Sequence, residues 1–164
     1  MQRQNYQQEM HQLQTKRKRT NVELSRHKIR EKAVQALFSK ELNESFSDKD
    51  AIMFVLTYDG NDISQIQNKD FDYLTILVHG VTNKRNQIDA LIERHLRNWT
   101  IQRLPRLDLT IMRVAVYEMM VNDDIPNVAV INEAIQIAKT FSDDKSRRFI
   151  NAVLANINND LQEA

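Results

Sequence analysis

Glycine and proline are almost absent from this chain, and that scarcity is the strongest constraint on its fold. Two glycines, at positions 60 and 80, and two prolines occur in 164 residues. Average usage of the two types together is about 12%. Hairpins, sandwiches and nucleotide-binding turns use them at many positions, so the sequence predicts an all-α protein. Two isolated glycines also exclude glycine-rich phosphate loops and the GxSxG hydrolase turn.

Residue types that carry catalysis or bind metals are also sparse. The chain has no cysteine, which excludes disulfides, thiol nucleophiles and cysteine-ligated metal centres. Its four histidines lack the spacing of a zinc site. Paired acids lie at expected helix starts or breaks, where aspartate commonly caps a helix. We therefore expect no metal, no cofactor and no enzyme activity.

The chain also lacks the patterns that direct a protein to a membrane. It has no apolar stretch long enough to span a bilayer, and its glutamine-rich start has no apolar segment typical of a secretory leader. We therefore expect a cytoplasmic protein with no membrane partner.

Apolar residues at spacings of three and four predict about seven helices joined by short links. The segment 106–121 is apolar on nearly all sides, so we expect it at the centre of the core. Arg113 and Glu118 lie inside that pattern and therefore need partners or a route to solvent. The expected helices span roughly 23–43, 49–57, 70–81, 83–97, 106–121, 127–140 and 144–157, with a helical turn near 101–104.

Charge is divided unevenly along the chain. Residues 1–32 hold nine lysines and arginines against three acids, whereas the remaining residues are net acidic. This asymmetry predicts a basic arm that binds a polyanion. We interpret residues 1–24 as a disordered, glutamine-rich and basic extension and residues 25–160 as one helical domain. A tail that only aids solubility is the competing interpretation.

Two groups of residues are candidates for contact with single-stranded RNA. One lies on the first helix, which pairs a basic face with a core-facing apolar stripe. The other opens the last helix, where cations flank an aromatic ring, as is common in single-strand recognition. For that ring, a core position with solvated cations beside it is the competing interpretation. The candidates are Arg26, His27, Lys28, Arg30 and Lys32 in the first group and Lys145, Arg148 and Phe149 in the second.

Longer motifs in the second half of the chain resemble the NusB antitermination family. They are 111–118, the proline at 126, 130–139, and Ser146 followed by 149–154. The first helix resembles the same family over 30–38. The resemblance covers residues 25–158 and leaves the first 24 residues outside.

The resemblance implies an all-α fold of two small packed bundles and a function in transcription antitermination rather than catalysis. NusB proteins bind the boxA element of ribosomal RNA leader transcripts together with NusE, a small-subunit ribosomal protein, and join an antitermination complex on RNA polymerase. By motif position, six of the candidates match the family's RNA contacts: Arg26, His27, Lys28 and Arg30 in the basic first-helix segment, and Arg148 and Phe149 in the last helix. Phe38 and Asp108 match residues that face NusE.

Some positions depart from the family pattern, and some questions stay open. Ser142 and Ala152 stand where glycines are usual, so a tight turn and a close helix contact must be made differently. Lys145 stands where acids are common in the family, and its positive charge favours binding of a phosphate group at this loop.

The resemblance leaves open whether the chain is a monomer or a homodimer. The alternative function is a helical protein-interaction module with a non-specific basic tail.

Overall fold

The structure is a computed structural model that describes residues 22–164. Seven α-helices and two short 3₁₀ turns make up this part of the chain, which confirms the predicted all-α fold. The helices are α1 (Arg26–Leu42), α2 (Asp48–Tyr58), α3 (Asn68–Asn83), α4 (Arg85–Arg94), α5 (Arg106–Val121), α6 (Asn127–Phe141) and α7 (Asp144–Glu163). The 3₁₀ turns span Ile63–Gln65 and Ile101–Arg103. None of these helices is long and apolar enough to cross a membrane.

Short polar side chains set the starts of three helices. The Ser25 hydroxyl accepts a hydrogen bond from the backbone N–H of Lys28, and Asp143 accepts one from that of Ser146. Ser47 and Asp50 form a reciprocal capping box at the start of α2. The expected cap at Asn127 is wrong, because this residue lies inside α6 and its amide donates to Asn158 Oδ1, 2.8 Å away.

The helices form two packed groups that share α5. In the first group α1 packs on α2 and α3, and in the second α6 and α7 pack on α5 and on each other. α5 also contacts α1, α3 and α4, so it is the central helix that its apolar composition predicted. The buried apolar side chains form one continuous core. The two bundles therefore stabilise each other.

Gly80 is the point of closest approach between α3 and α5. A Cβ atom built at this position would lie 1.9 Å from Cζ of Tyr117. Tyr117 is buried, so its ring occupies the space that any larger residue at position 80 would need. Glycine is therefore required here by packing against α5.

The predicted extension covers residues 1–24, of which 1–21 lie outside the described residues. Its last three residues are attached to the helical domain. The backbone N–H of Val22 donates to the carbonyl of Gln65 over 2.8 Å, and that of Leu24 donates to Asp70 Oδ2 over 2.9 Å. Both partners are distant in sequence, so no local pattern reveals these contacts. The division at residue 24 between extension and domain stays a prediction.

The two departures from the family glycines are both accommodated. Ser142 follows α6 in an extended conformation, with φ of −132°, which any residue can adopt. Its hydroxyl donates to Asp108 Oδ1 over 2.7 Å, so a side-chain hydrogen bond fixes the turn. Ala152 is exposed on α7, so its methyl group does not interfere with a helix contact.

Candidate nucleic-acid interface

Arg26 is the exposed cation at the start of α1. Its guanidinium lies over the ring of Tyr73, 3.8 Å from the ring centroid, a cation–π arrangement. The Tyr73 hydroxyl donates to Glu118 Oε2 over 2.7 Å. Burial and this hydrogen bond to a carboxylate raise the pKa of Tyr73 to about 12, so the ring stays neutral. Tyr73, which the sequence suggested only as a buried residue, therefore positions Arg26.

Arg30 does not present its charge to solvent, although the sequence suggested it as a phosphate contact. It is only 5% exposed and donates two hydrogen bonds to Glu118, of 2.7 and 3.0 Å. Burial works against the charged guanidinium, but the Glu118 carboxylate outweighs it and leaves the pKa of Arg30 above its ordinary value. Arg30 and Glu118 are therefore a buried ion pair between α1 and α5, and Glu118 has the partner that its apolar surroundings required.

Lys32 is also withdrawn from the surface. It is 2% exposed, and its ammonium group donates to the carbonyl oxygen of Val55 over 3.0 Å and to the carboxylate of Asp59. Lys32 therefore joins α1 to the end of α2. The sequence pattern missed this because a long lysine stem can run beneath a neighbouring helix.

His27 and Lys28 remain partly exposed, but acids lie beside both. His27 Nδ1 is 2.8 Å from Glu133 Oε2 on α6, and its Nε2 is 3.6 Å from Glu31. Lys28 Nζ is 3.2 Å from Glu31 Oε1. The start of α1 is therefore less positive than its own sequence indicates, because three glutamates (31, 118 and 133) surround its cations.

The start of α7 carries the second candidate group. Lys145 and Arg148 are exposed, and the ring of Phe149 is partly buried against the edge of the core. Arg147 pairs with Asp144 in the first turn. The cations of Lys145 and Arg148 form no ion pair within the described part of the chain. Phe149 is thus partly accessible on the same helix as two exposed cations.

The two candidate groups lie on different helices that α6 connects. His27 of the α1 group contacts Glu133 on α6, and α6 packs along α7. Among residues 22–164 no hydrogen bond or ion pair joins the α1 group directly to Lys145, Arg148 or Phe149. A ligand that contacts both groups would therefore cross the surface of α6.

The two residues predicted to face a protein partner differ in accessibility. Phe38 is half-buried near the end of α1, with part of its ring accessible. Asp108 is 3% exposed and accepts the hydrogen bond from Ser142. The serine that replaces the usual glycine thus covers one of the Asp108 oxygens, and the contact of Asp108 with NusE stays a prediction.

The structure shows no arrangement typical of a metal centre within residues 22–164. Three of the histidines instead pair with carboxylates: His27 with Glu133, His79 with Asp48 and His95 with Asp160.

Arg113 on α5 also has the partner that its apolar surroundings required. Its guanidinium donates two hydrogen bonds to the Asp89 carboxylate, over 2.7 and 2.8 Å.

Comparisons of this chain with known families, with individual sequences and with solved structures agree with one another. Residues 27–159 match the NusB family. The transcription antitermination protein NusB of Enterococcus faecalis is 43% identical over 141 residues, covering 84% of this chain and 92% of that protein. A solved structure of T. maritima NusB has a TM-score of 0.75 at 26% identity, over 87% of this chain and 100% of the other. A chain in a crystal structure of the antitermination factors NusB and NusE with double-stranded RNA has a TM-score of 0.72 at 22% identity, over 84% and 99%. The sequence matches span most of the described domain, and this chain therefore belongs to the NusB family.

Proposed function

We propose that this chain is a cytoplasmic transcription antitermination factor that binds boxA RNA together with NusE and joins the antitermination complex on RNA polymerase. Membership of the NusB family supports this function, as does the RNA in the structure of NusB and NusE. The observation that carries it is the set of exposed cations at the starts of α1 and α7, Arg26, Lys145 and Arg148, which form no ion pair within residues 22–164. Each start also has a partly buried aromatic ring, Tyr73 under Arg26 and Phe149 next to Arg148. The chain would act by binding, without catalysis.

The proposed RNA surface consists of the exposed members of the two groups. Arg26, Lys28, Lys145 and Arg148 would contact phosphates, which gives affinity with little sequence preference. Phe149 would stack on a splayed base. The side chain of His27 lies between two acids and would add a hydrogen bond.

Arg30 and Lys32 have a supporting role in this proposal. Their ion pairs fix α1 to α5 and α2, which sets the direction in which Arg26 and Lys28 project. Arg30 matches the family's basic segment in sequence, yet the charges of both residues are paired with acids inside the protein. Their substitution would therefore change RNA binding only through the position of α1.

We place the NusE surface at the end of α1 and the start of α5. Phe38 supplies an accessible apolar ring, the kind of residue that anchors protein interfaces. Asp108 lies at the start of α5 and is oriented by Ser142, so we propose that it shapes this surface or that its covered oxygen is released on binding. Arg106 reaches the carbonyl oxygen of Glu41 over 3.5 Å, which shows that these helix ends are neighbours.

The test is a fluorescence anisotropy titration with boxA RNA and a scrambled RNA, each with and without NusE, at fixed salt. We expect tighter binding of boxA RNA and a further gain with NusE. Equal affinity for both RNAs and no effect of NusE would contradict the proposal. That result, together with retained binding to some other protein, would favour the helical interaction module.

The partner surface is tested separately with Phe38→Ala. We expect lower affinity for NusE, by about tenfold if the ring is an anchor residue, and unchanged affinity for RNA alone. Tyr58→Ala is the matched control, because Tyr58 is a more exposed aromatic residue, at 78%, on a different helix. Equal effects of the two variants on NusE binding would remove Phe38 from the interface.

A further inference from the structure

A second basic surface lies at the far end of α7 from Arg148. A cleft of about 310 Å³ separates the end of α4 from the last turns of α7. Its polar lining is supplied by Arg94, His95, Arg97, Asn156, Asn159 and Asp160. The acid in this lining is already matched, since Asp160 Oδ2 is 2.8 Å from His95 Nε2 and 3.7 Å from Arg94.

Arg97 leaves the cleft with an unmatched positive charge. It is exposed and forms no ion pair with any residue of the described domain. The stretch from Arg94, the last residue of α4, to Arg106, the first residue of α5, contains four arginines and no acid. Two of these arginines, Arg94 and Arg97, line the cleft against a single acid, so its lining suits an anionic ligand. The amides of Asn156 and Asn159 add donors and acceptors that can contact base edges.

The exposed face of α7 connects this cleft to the proposed RNA surface. No acid occurs between Lys145 and Asn159, and the exposed residues of that stretch recur at helical spacing, which places them along one side of α7. They are Lys145, Arg148, Asn151, Ala152, Ala155, Asn156 and Asn159. The distance along the axis from Arg148 to Asn159 is about 16 Å at 1.5 Å per residue. A single strand leaving Arg148 would meet no negative side chain of this stripe before the cleft.

An exposed aromatic ring lies within the same stretch, residues 94–106. Trp99 follows Arg97 by two residues, is 53% exposed and is the single tryptophan of the chain. Asn98, directly before it, adopts a left-handed conformation with φ of 60°, which asparagine tolerates better than most residues. Exposed tryptophan beside arginine is suited to stacking on a nucleic-acid base.

We propose that the Arg94–Arg97 cleft is a second contact site for single-stranded RNA, reached along α7. This proposal rests on the proposed RNA-binding function and extends that function. The cleft would hold the part of an RNA strand that continues beyond the nucleotides bound at Arg26 and Arg148. Arg94 and Arg97 bind phosphates there, the two asparagine amides contact base edges, and Trp99 stacks on one base.

The first experiment compares a short boxA RNA with versions lengthened stepwise at each end, using the full chain. Asn156→Asp places a negative charge in the cleft without changing side-chain size, on an exposed helix position. We expect it to weaken binding of a lengthened RNA by about fivefold, because a charge opposes a phosphate contact, and to leave the short RNA unchanged. Gln87→Glu, the same change of charge at the exposed start of α4, is the control and should affect neither RNA.

The second experiment uses Trp99 as a reporter. Its fluorescence should fall when a lengthened RNA binds and stay constant with the short one. Trp99→Ala should weaken binding of the lengthened RNA by about tenfold, the equivalent of losing one stacked base. Trp99→Phe should restore most of the affinity because it keeps a ring.

The outcomes separate this site from the proposed function. If Asn156→Asp weakens neither RNA, or weakens both equally, and Trp99 fluorescence does not respond, the second site is refuted. Loss of any preference for boxA over scrambled RNA would instead contradict the antitermination function. The difference between lengthened and short RNA can still be measured in either sequence, so the cleft is tested in both cases.

Discussion

Two arginines one helical turn apart illustrate how the same residue type acquires different roles. Arg26 is exposed above the ring of Tyr73, whereas Arg30 is buried in a bidentate pair with Glu118. Tyr73 also donates to Glu118, so both arginines belong to one network. The exposed arginine is available for a ligand, and the buried one stabilises the site.

Arg30→Ala should therefore reduce stability strongly. It leaves the buried Glu118 carboxylate without its ion-pair partner, a change that typically costs about 3–5 kcal/mol. Arg26→Ala is the control and should cost less than about 1 kcal/mol, since it removes an exposed cation–π contact. Urea unfolding of both variants measures the difference. Equal losses of unfolding free energy would contradict the assigned roles.

Gly80→Ala should also destabilise the protein. The new methyl group would overlap the Tyr117 ring, and overpacking typically costs about 1–3 kcal/mol. This loss should exceed the gain of about 1 kcal/mol from replacing glycine with alanine in a helix. Thermal unfolding checks the sign, and a variant as stable as the native chain would show that Tyr117 can move aside.

At the scale of elements, Asp48 links three helices. From the first turn of α2 it accepts hydrogen bonds from Lys40 on α1 and from Thr82 on α3, and it lies 2.5 Å from His79 Nδ1. Burial alone would raise the pKa of the Asp48 carboxyl, but the hydrogen bonds from Lys40, His79 and Thr82 outweigh burial and lower it.

This arrangement predicts a pH dependence of stability. Because the folded pKa of Asp48 is lowered, its contribution is present at neutral pH and is lost as the pH falls through that folded value. Asp48→Asn should cost about 1–3 kcal/mol at pH 7, the range for hydrogen bonds to charged groups. The cost should become progressively smaller as the pH falls below the ordinary carboxyl pKa and through the lowered folded value. Asp72→Asn, at an exposed carboxylate of α3, should show no such difference. A constant loss for Asp48→Asn across this range would contradict the prediction.

The helices were largely predictable, because their signals are local. Apolar periodicity predicted α5 with the bounds that the structure shows, and Ser47 and Asp143 cap helices near where their positions suggested. The start of α3 at Asn68 and the role of Asn127 were missed. Both depend on contacts with distant segments, which local patterns do not contain.

The exposure of the candidate site residues was predictable only in part, and their contact with RNA stays a prediction. Arg26, Lys145 and Arg148 are accessible, as a polar helix face implies. The burial of Arg30 and Lys32 depends on Glu118 and Asp59, which are remote in sequence. For the same reason, no local pattern indicates that Ser142 covers Asp108 or that Arg26 lies over Tyr73.

At the scale of the whole molecule, the distribution of positive charge differs from the one that the sequence suggests. Glutamates on α1, α5 and α6 match most of the charge at the start of α1. The start of α7 keeps exposed cations that these acids do not reach. We therefore propose that RNA contacts particular exposed residues of two helices, rather than a uniformly basic first helix.

The most direct test of this claim is the salt dependence of boxA RNA affinity, measured for the native chain and for the double variant Arg26→Ala/Arg148→Ala. If each arginine contacts one phosphate, the slope of log affinity against log salt should become shallower by about 1.4, at about 0.7 per contact with a single strand. Affinity at fixed salt should fall as well. An unchanged slope and unchanged affinity would contradict the assignment of the RNA surface to these helix starts.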